Sequence, residues 1–447
     1  MRLSFYYTPL LLIWLLKGLS TQAQTRLQST DEAIELAKRN NLDLQIARQT
    51  TQIQSWNLTA AKGARLPQVR FTTVLDYNFL LPTQLIPAQF FGGKEGEFRT
   101  IQFGVPFNLT AGIESTMPLW NVGLKQDVNI AQANQKVVDL QALVLQDDLS
   151  TQVARLYLAT VFTQEYLRIT QQNLANADSI ARIAWVRKDK GLIDQLEYNR
   201  VRSTRLAVED ALRQNEMAYQ KNLNQLRLVV GDSTARTSPP APLQKMERGE
   251  ITPFPKWVGP SHERTGDGVP RLQLRAAQLS LAQQQFTKEQ KLKLPTLSVY
   301  ARLSEQAQRN KFNFLNFNEP WFGIGVAGLR LEVPIYTARI RESGIARARI
   351  NAEIAQRQLE NEQRKFDTET QDLRIGYHQA ARSLQVNQEA YQLSEENLQL
   401  ALIKYKGGVM SYDQYLNVFN EALNAQNKYF RTLADVMIND KLLELRR

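Results

Sequence analysis

Residues 100–121 read TIQFGVPFNLTAGIESTMPLWN. Odd positions, from Ile101 through Phe103, Val105, Phe107, Leu109 and Ile113 to Leu119, are mostly apolar, and even positions, including Gln102, Asn108, Thr110, Glu114 and Thr116, are mostly polar. A period of two predicts a strand with one apolar and one wet face. A strand of this length and pattern suits a membrane β-barrel, where about 9–11 residues span the bilayer. An amphipathic strand of a soluble sandwich is the other reading of this segment alone. Pro118-Leu119-Trp120-Asn121 then closes the strand and launches a long polar helix.

The same grammar occurs twice. Leu66-Pro67 opens an alternating strand, and so does Leu294-Pro295; Pro118-Leu119-Trp120-Asn121 has a counterpart in Pro334-Ile335-Tyr336-Thr337. Gly191-Leu192 sits at a helical break, and so does Gly408-Val409. A tandem duplication holding both strands and very long helices narrows the fold sharply.

Between Gly123 and Lys190 there is no proline and no internal glycine, and Val138, Ala142, Leu145, Leu149 and Leu156 recur at coiled-coil spacings. At 1.5 Å per residue such a helix is about 100 Å long. A helix from Ser29-Thr30 to Gly63, with Ser29 or Thr30 as its cap, precedes the first strand. Loops are expected at 81–97 and 304–321, and helices from about Arg271 to Lys291, up to Tyr405, and from there to the C-terminus. Glycine permits the left-handed turn that folds each pair of long helices back as an antiparallel hairpin.

Composition bounds the compartment. Arg2, an apolar run from Phe5 to Leu16, and Thr21-Gln22-Ala23 predict a secretory signal peptide over residues 1–23, with an uncleaved anchor as the rival. The chain has no cysteine, which excludes disulfides, thiol chemistry and a cysteine lipid anchor. Mean hydropathy is −0.39 and no later segment carries ~18 consecutive apolar residues, so no helical span is expected. The formal charge of +11 is scattered among Glu, Asp and Gln, which predicts a solvated surface and no nucleic-acid partner.

Chemical motifs are sparse. Gly323, Gly325 and Gly328 match a dinucleotide-binding pattern, but they lie inside an alternating strand instead of between a strand and a helix. The apolar phase flips there, from Ile324 and Val326 to Leu329 and Leu331, which predicts a bulge at Gly328. His262 and His378 have no ligand-spaced partner, and the adjacent pairs Asp147-Asp148 and Glu395-Glu396 diverge on helices. No enzyme activity, cofactor or metal site is expected.

The order and duplication of these motifs, with Tyr405 preceding Gly408, resemble the TolC-type outer-membrane efflux proteins, and the long loops containing Ile86-Pro87 and Phe90-Phe91-Gly92-Gly93 resemble Bacteroidetes-like members. The resemblance implies an α+β membrane protein: a homotrimer whose protomers each give four strands to one twelve-stranded barrel, set on a long helical coiled-coil tunnel. It also implies an outer-membrane location with the helices in the periplasm, and a passive conduit docking a periplasmic adaptor (membrane fusion) protein and an inner-membrane pump. Gly191, Leu192, Gly408 and Val409 become the adaptor-docking tips. Tyr405, Asp413, Gln414 and Asn417 become the periplasmic entrance. Family aspartates that narrow the entrance match the uncharged Gln414 and Asn417 here; either Asp413, one place earlier, substitutes, or the entrance is less cation-selective. At the equivalent places the first tip has Lys188, Lys190, Leu196 and Glu197, so the two tips are not equal.

The expected organisation is a signal peptide at 1–23, a first repeat at 24–232, a proline-rich connector at 233–270 and a second repeat at 271–447. A trimeric coiled-coil envelope protein or adhesin is the alternative function.

Overall fold

A computed structural model describes residues 27, 29–231, 269–316 and 318–446. The expected signal peptide, His262 and nearly all of the connector lie outside the described residues.

Helix α1 (Thr30–Asn40) opens the described chain, and Ser29 caps it by accepting the Glu32 N–H at 3.1 Å. The helix expected to run unbroken to Gly63 is two helices, α1 and α2 (Leu42–Gly63). Asn41 divides them: its backbone is extended, and its side-chain oxygen accepts the N–H groups of Asp43 at 2.9 Å and Leu44 at 3.2 Å. Asparagine competes for backbone donors in this way, and that ends one helix and starts the next.

Next come β1 (Gln68–Tyr77), β2 (Thr83–Pro87), a short 3₁₀ turn (Ala88–Phe91), β3 (Phe98–Gln102) and β4 (Phe107–Trp120). The strand expected to run from Thr100 to Leu119 is therefore two. Ile101 belongs to β3, which pairs with β2 inside the supposed loop, whereas Phe107 onward belongs to the main sheet. Pro106 has no N–H to give a ladder, which interrupts pairing between them.

Helices α3 (Val122–Asp189), α4 (Gln195–Val230) and α5 (Pro270–Lys291) follow, then β5 (Thr296–Arg309), β6 (Phe322–Glu332), α6 (Ile340–Lys406) and α7 (Tyr412–Leu445). Helix, strands, long helix and second helix thus recur in the same order. Strand β5 runs further than expected, to Arg309, because β4 pairs with it to its end. The duplicated junctions differ in detail. Asn121 caps α3 by accepting the Leu124 N–H at 3.0 Å, whereas α6 is preceded by Ala338 and Arg339 at positive φ.

The main sheet is antiparallel throughout, in the order β1-β4-β5-β6, with β1 and β6 at its edges. The bulge expected at Gly328 is absent: β5 and β6 pair in unbroken register from Phe322 to Glu332. The phase flip is absorbed without one. The Tyr300 ring lies over Gly328, where an added Cβ would come within 2.9 Å of its hydroxyl, and Arg330 covers the ring's other neighbourhood at 5.2 Å. The register shift falls instead between Pro118 and Trp120. Val69, Phe71, Leu75, Leu109, Ile113, Leu297, Val299, Leu329 and Leu331 share one face of the sheet; Arg70, Thr110, Glu114, Ser298, Arg302 and Gln306 share the other.

The chain divides into two compact units. The first, residues 1–48, 141–273 and 361–447, is helical among its described residues. Its main core joins Val153, Tyr157 and Val161 of α3, Leu226 of α4, Tyr377 and Leu384 of α6, and Phe430 and Leu433 of α7. The second, residues 49–140 and 274–360, holds the sheet and a small cluster of Val137, Leu140 and Ala277. Among the described residues no helix is long and apolar enough to cross a membrane.

Candidate functional site at the hairpin tips

Helices α3 and α4 meet at Gly191, and α6 and α7 at Gly408. Both glycines are left-handed, with φ of +69° and +79°. In the first tip the N–H of Gly191 donates to Lys188 at 2.9 Å and that of Leu192 to Arg187 at 2.8 Å; in the second, Gly408 donates to Tyr405 at 3.1 Å and Val409 to Lys404 at 3.0 Å. These bonds satisfy the last carbonyls of the incoming helix. A Cβ on Gly191 would meet nothing within 4 Å, and one on Gly408 only the Arg187 guanidinium at 3.6 Å, so backbone conformation and not space requires glycine.

Three residues after each glycine comes the cap of the outgoing helix. Asp194 accepts the Glu197 N–H at 2.7 Å, and Ser411 forms a reciprocal box with Gln414. Each tip is therefore a left-handed glycine, an exposed aliphatic residue and a capped helix start. Leu192 and Val409 are 69% and 81% exposed.

Below the second tip Tyr405, Tyr412 and Tyr415 are buried in mutual ring contact: Tyr405 stacks on Tyr415 and meets Tyr412 edge-on, and Phe419 stacks on Tyr415 to continue the column. Burial pushes the Tyr415 phenol up to about 12, helped by the neighbouring Tyr412 and Tyr405; burial also raises Tyr405 and Tyr412.

The first hairpin grips this column. Arg187 lies 4.8 Å from the Tyr405 ring and donates to the carbonyls of Tyr405 at 2.6 Å and Lys406 at 3.3 Å. A guanidinium at the end of α6 adds a second donor to the Tyr405 carbonyl, reaches that of Lys406, and meets the negative end of the helix dipole. The Tyr412 hydroxyl donates to Thr204 at 2.8 Å, and Arg200 reaches both oxygens of Asp413 at 2.7 Å.

The sequence-predicted entrance residues thus occupy different situations. Tyr405 is fully buried; Asp413 is exposed but held by Arg200; Gln414 is exposed and its side-chain oxygen accepts the Ser411 N–H at 3.2 Å; Asn417 is exposed one turn further on. Sequence reasoning missed Arg187, Arg200, Thr204, Tyr412 and Tyr415. The spacing of Tyr412, Tyr415 and Phe419 carries a readable helical stripe. The arginines carry no such signal, since their partners lie more than 200 residues away in sequence. No described group of three or more His, Cys, Asp or Glu is placed to hold a metal ion.

Residues 268–443 match the family model described as outer membrane efflux protein. No curated protein matches the chain. Among solved structures, the Campylobacter jejuni CmeC outer membrane channel is 14% identical with a TM-score of 0.73, over 93% of this chain and 85% of that one. The outer membrane protein VceC of Vibrio cholerae is 16% identical with a TM-score of 0.69, over 93% and 94%. The Neisseria gonorrhoeae MtrE outer membrane channel in its open state is 13% identical with a TM-score of 0.67, over 93% and 88%.

Proposed function

We propose that this chain, whose residues 268–443 match the outer membrane efflux protein model and whose fold is that of outer membrane channels, is the outer-membrane conduit of a tripartite efflux or type I secretion system. The observation that carries the reading is a four-stranded amphipathic sheet whose edge strands, β1 and β6, have no outer partner among the described residues. Open edges are not tolerated in lipid, where unsatisfied backbone groups each cost several kcal/mol. Three copies pairing β6 to β1 close a twelve-stranded barrel, with the apolar face toward lipid and the polar face toward the lumen.

The long helices reach into the periplasm. Leu192 and Val409, presented by Gly191 and Gly408, dock the periplasmic adaptor, which links the conduit to an inner-membrane pump. The pump supplies the energy, and this chain does no bond chemistry.

Tyr405, Asp413, Gln414 and Asn417 form the entrance. Gln414 and Asn417 are amides, and Asp413 is neutralised by Arg200. Of the two sequence readings this favours the second, an entrance without a free acidic ring and with little preference for cations. Opening separates α6 and α7 from α3 and α4 by releasing the Arg187 and Arg200 contacts.

Sizing and cross-linking of the detergent-solubilised protein test the reading. A trimer is expected, and a stable monomer overturns it.

A further inference from the structure

We propose that the polar face of the sheet holds a binding site for an amphipathic organic anion; this rests on the conduit reading and names a class of cargo for it. The register places Arg70, Glu114, Arg302 and Val326 in one row across all four strands. Glu114 Oε1 lies 3.7 Å from Arg70 Nη2, and Glu114 Oε2 lies 3.3 Å from Arg302 Nη2. One carboxylate is shared by two guanidiniums, which leaves one uncompensated positive charge in each copy. Each guanidinium carries five N–H donors. With the arginine side chains 70% and 57% exposed, most of those donors face outward.

Among the described residues, the other charged positions on this face start further along the strands. Asp76 stands six residues along β1 from Arg70, and Arg330 and Glu332 stand four and six residues along β6 from Val326. At about 3.3 Å per residue these separations are roughly 20, 13 and 20 Å. The two acidic positions lie beyond the screening length of about 8 Å at physiological salt, while the Arg330 guanidinium leans over the Tyr300 ring, toward the row, and adds to its positive excess.

The second observation is independent. Because β6 pairs through Gly328 without a bulge, Phe322, Ile324 and Val326 lie on the polar face, beside Gln306, Ser304 and Arg302. They do not serve the apolar face. They form an apolar strip that begins at the arginine row and runs away from it toward the 310–321 loop. A guanidinium pair at the foot of an apolar strip fits an acid head with an aliphatic tail, while a cation of the same length meets the wrong charge.

The test uses full-length protein in planar bilayers, with decanoate or decyltrimethylammonium added on the barrel side so that the periplasmic entrance is not crossed. Decanoate is expected to block the current at tenfold or more lower concentration than the cation. The R70Q/R302Q variant should lose this preference, E114Q should sharpen it, and I324T/V326T should weaken block by decanoate but not by acetate. Equal block by both ions, or a preference unchanged in R70Q/R302Q and E114Q, overturns the site while leaving the conduit intact. Absence of any channel current from the wild-type protein and from an R187A/R200A variant alike overturns the conduit reading and the site with it.

Discussion

Arg200 Nη1 lies 2.7 Å from both carboxylate oxygens of Asp413, a contact that joins helices α4 and α7 across 213 residues of sequence. The pair is half-exposed on each side, with side chains 50% and 64% accessible. Its contribution to stability is therefore small, about 0.2–1 kcal/mol after solvent screening. Its effect on opening is expected to be larger than its effect on folding. A double-mutant cycle of Arg200→Ala and Asp413→Ala should give a coupling below ~1 kcal/mol in thermal unfolding. Either single variant should raise channel conductance, and a conductance equal to wild type would rule the pair out as a latch.

Arg187 should matter more. Its guanidinium combines a face contact with Tyr405 and two bonds to the last carbonyls of α6. Charge-assisted hydrogen bonds contribute about 1.5–3 kcal/mol. Arg187→Ala is expected to lose about that much, and Arg187→Lys to recover under half, because a point charge cannot reproduce the planar fork. Equilibrium urea unfolding of the two variants measures the difference.

The tip glycines separate strain from docking. Gly191→Ala and Gly408→Ala each force a Cβ into left-handed backbone, at about 1–2 kcal/mol. Asparagine, which tolerates this conformation, should cost less at both positions. If both substitutions at a tip fold yet only alanine impairs export, the backbone shape is the docking determinant; if both impair it, the side-chain-free surface is.

The tyrosine column predicts an alkaline limit. The Tyr415 phenol is raised to about 12 in the folded chain, against an ordinary value of 10.0. A raised folded value favours the neutral form, so its stabilisation is complete below pH 10 and is lost as the pH climbs through 10 toward 12. Melting temperature should fall across that window, with phenolate absorbance rising late. Tyr415→Phe should flatten the fall while keeping the stack, whereas Tyr415→Ala should cost about 3–5 kcal/mol at neutral pH through the cavity it leaves.

Much of this architecture could be read from periodicity. The 3.6-residue pattern of Leu145, Leu149 and Leu156 located α3, and the two-residue alternation from Phe107 to Leu119 located β4. The errors fall where a single residue decides. Asn41 starts a new helix by capturing two N–H groups, and Pro106 divides two strands that alternate in phase; neither event changes the hydrophobic period. Gly328 misled for a different reason. A phase flip looks like a bulge until the cross-strand neighbour is known, and here Tyr300 fills the space above the glycine. At the tips the glycines and the exposed Leu192 and Val409 were legible because they are local. The arginine grip was not, because Arg187 and Arg200 become meaningful only beside residues of the other hairpin.

The strand order β1-β4-β5-β6 also constrains biogenesis. Its central seam pairs Glu114 with Arg302, which are 188 residues apart. A chain emerging from its N-terminus presents β1 and β4 first, and β5 arrives only after α3, α4 and α5. During that interval the hydrogen-bonding edge of β4 is bare, and bare edges recruit whatever strand comes first. Closing so long a loop is entropically slow, so correct pairing competes with aggregation until β5 arrives. Slowing synthesis between the two halves should therefore lower the yield of folded protein without touching the stability of the finished molecule.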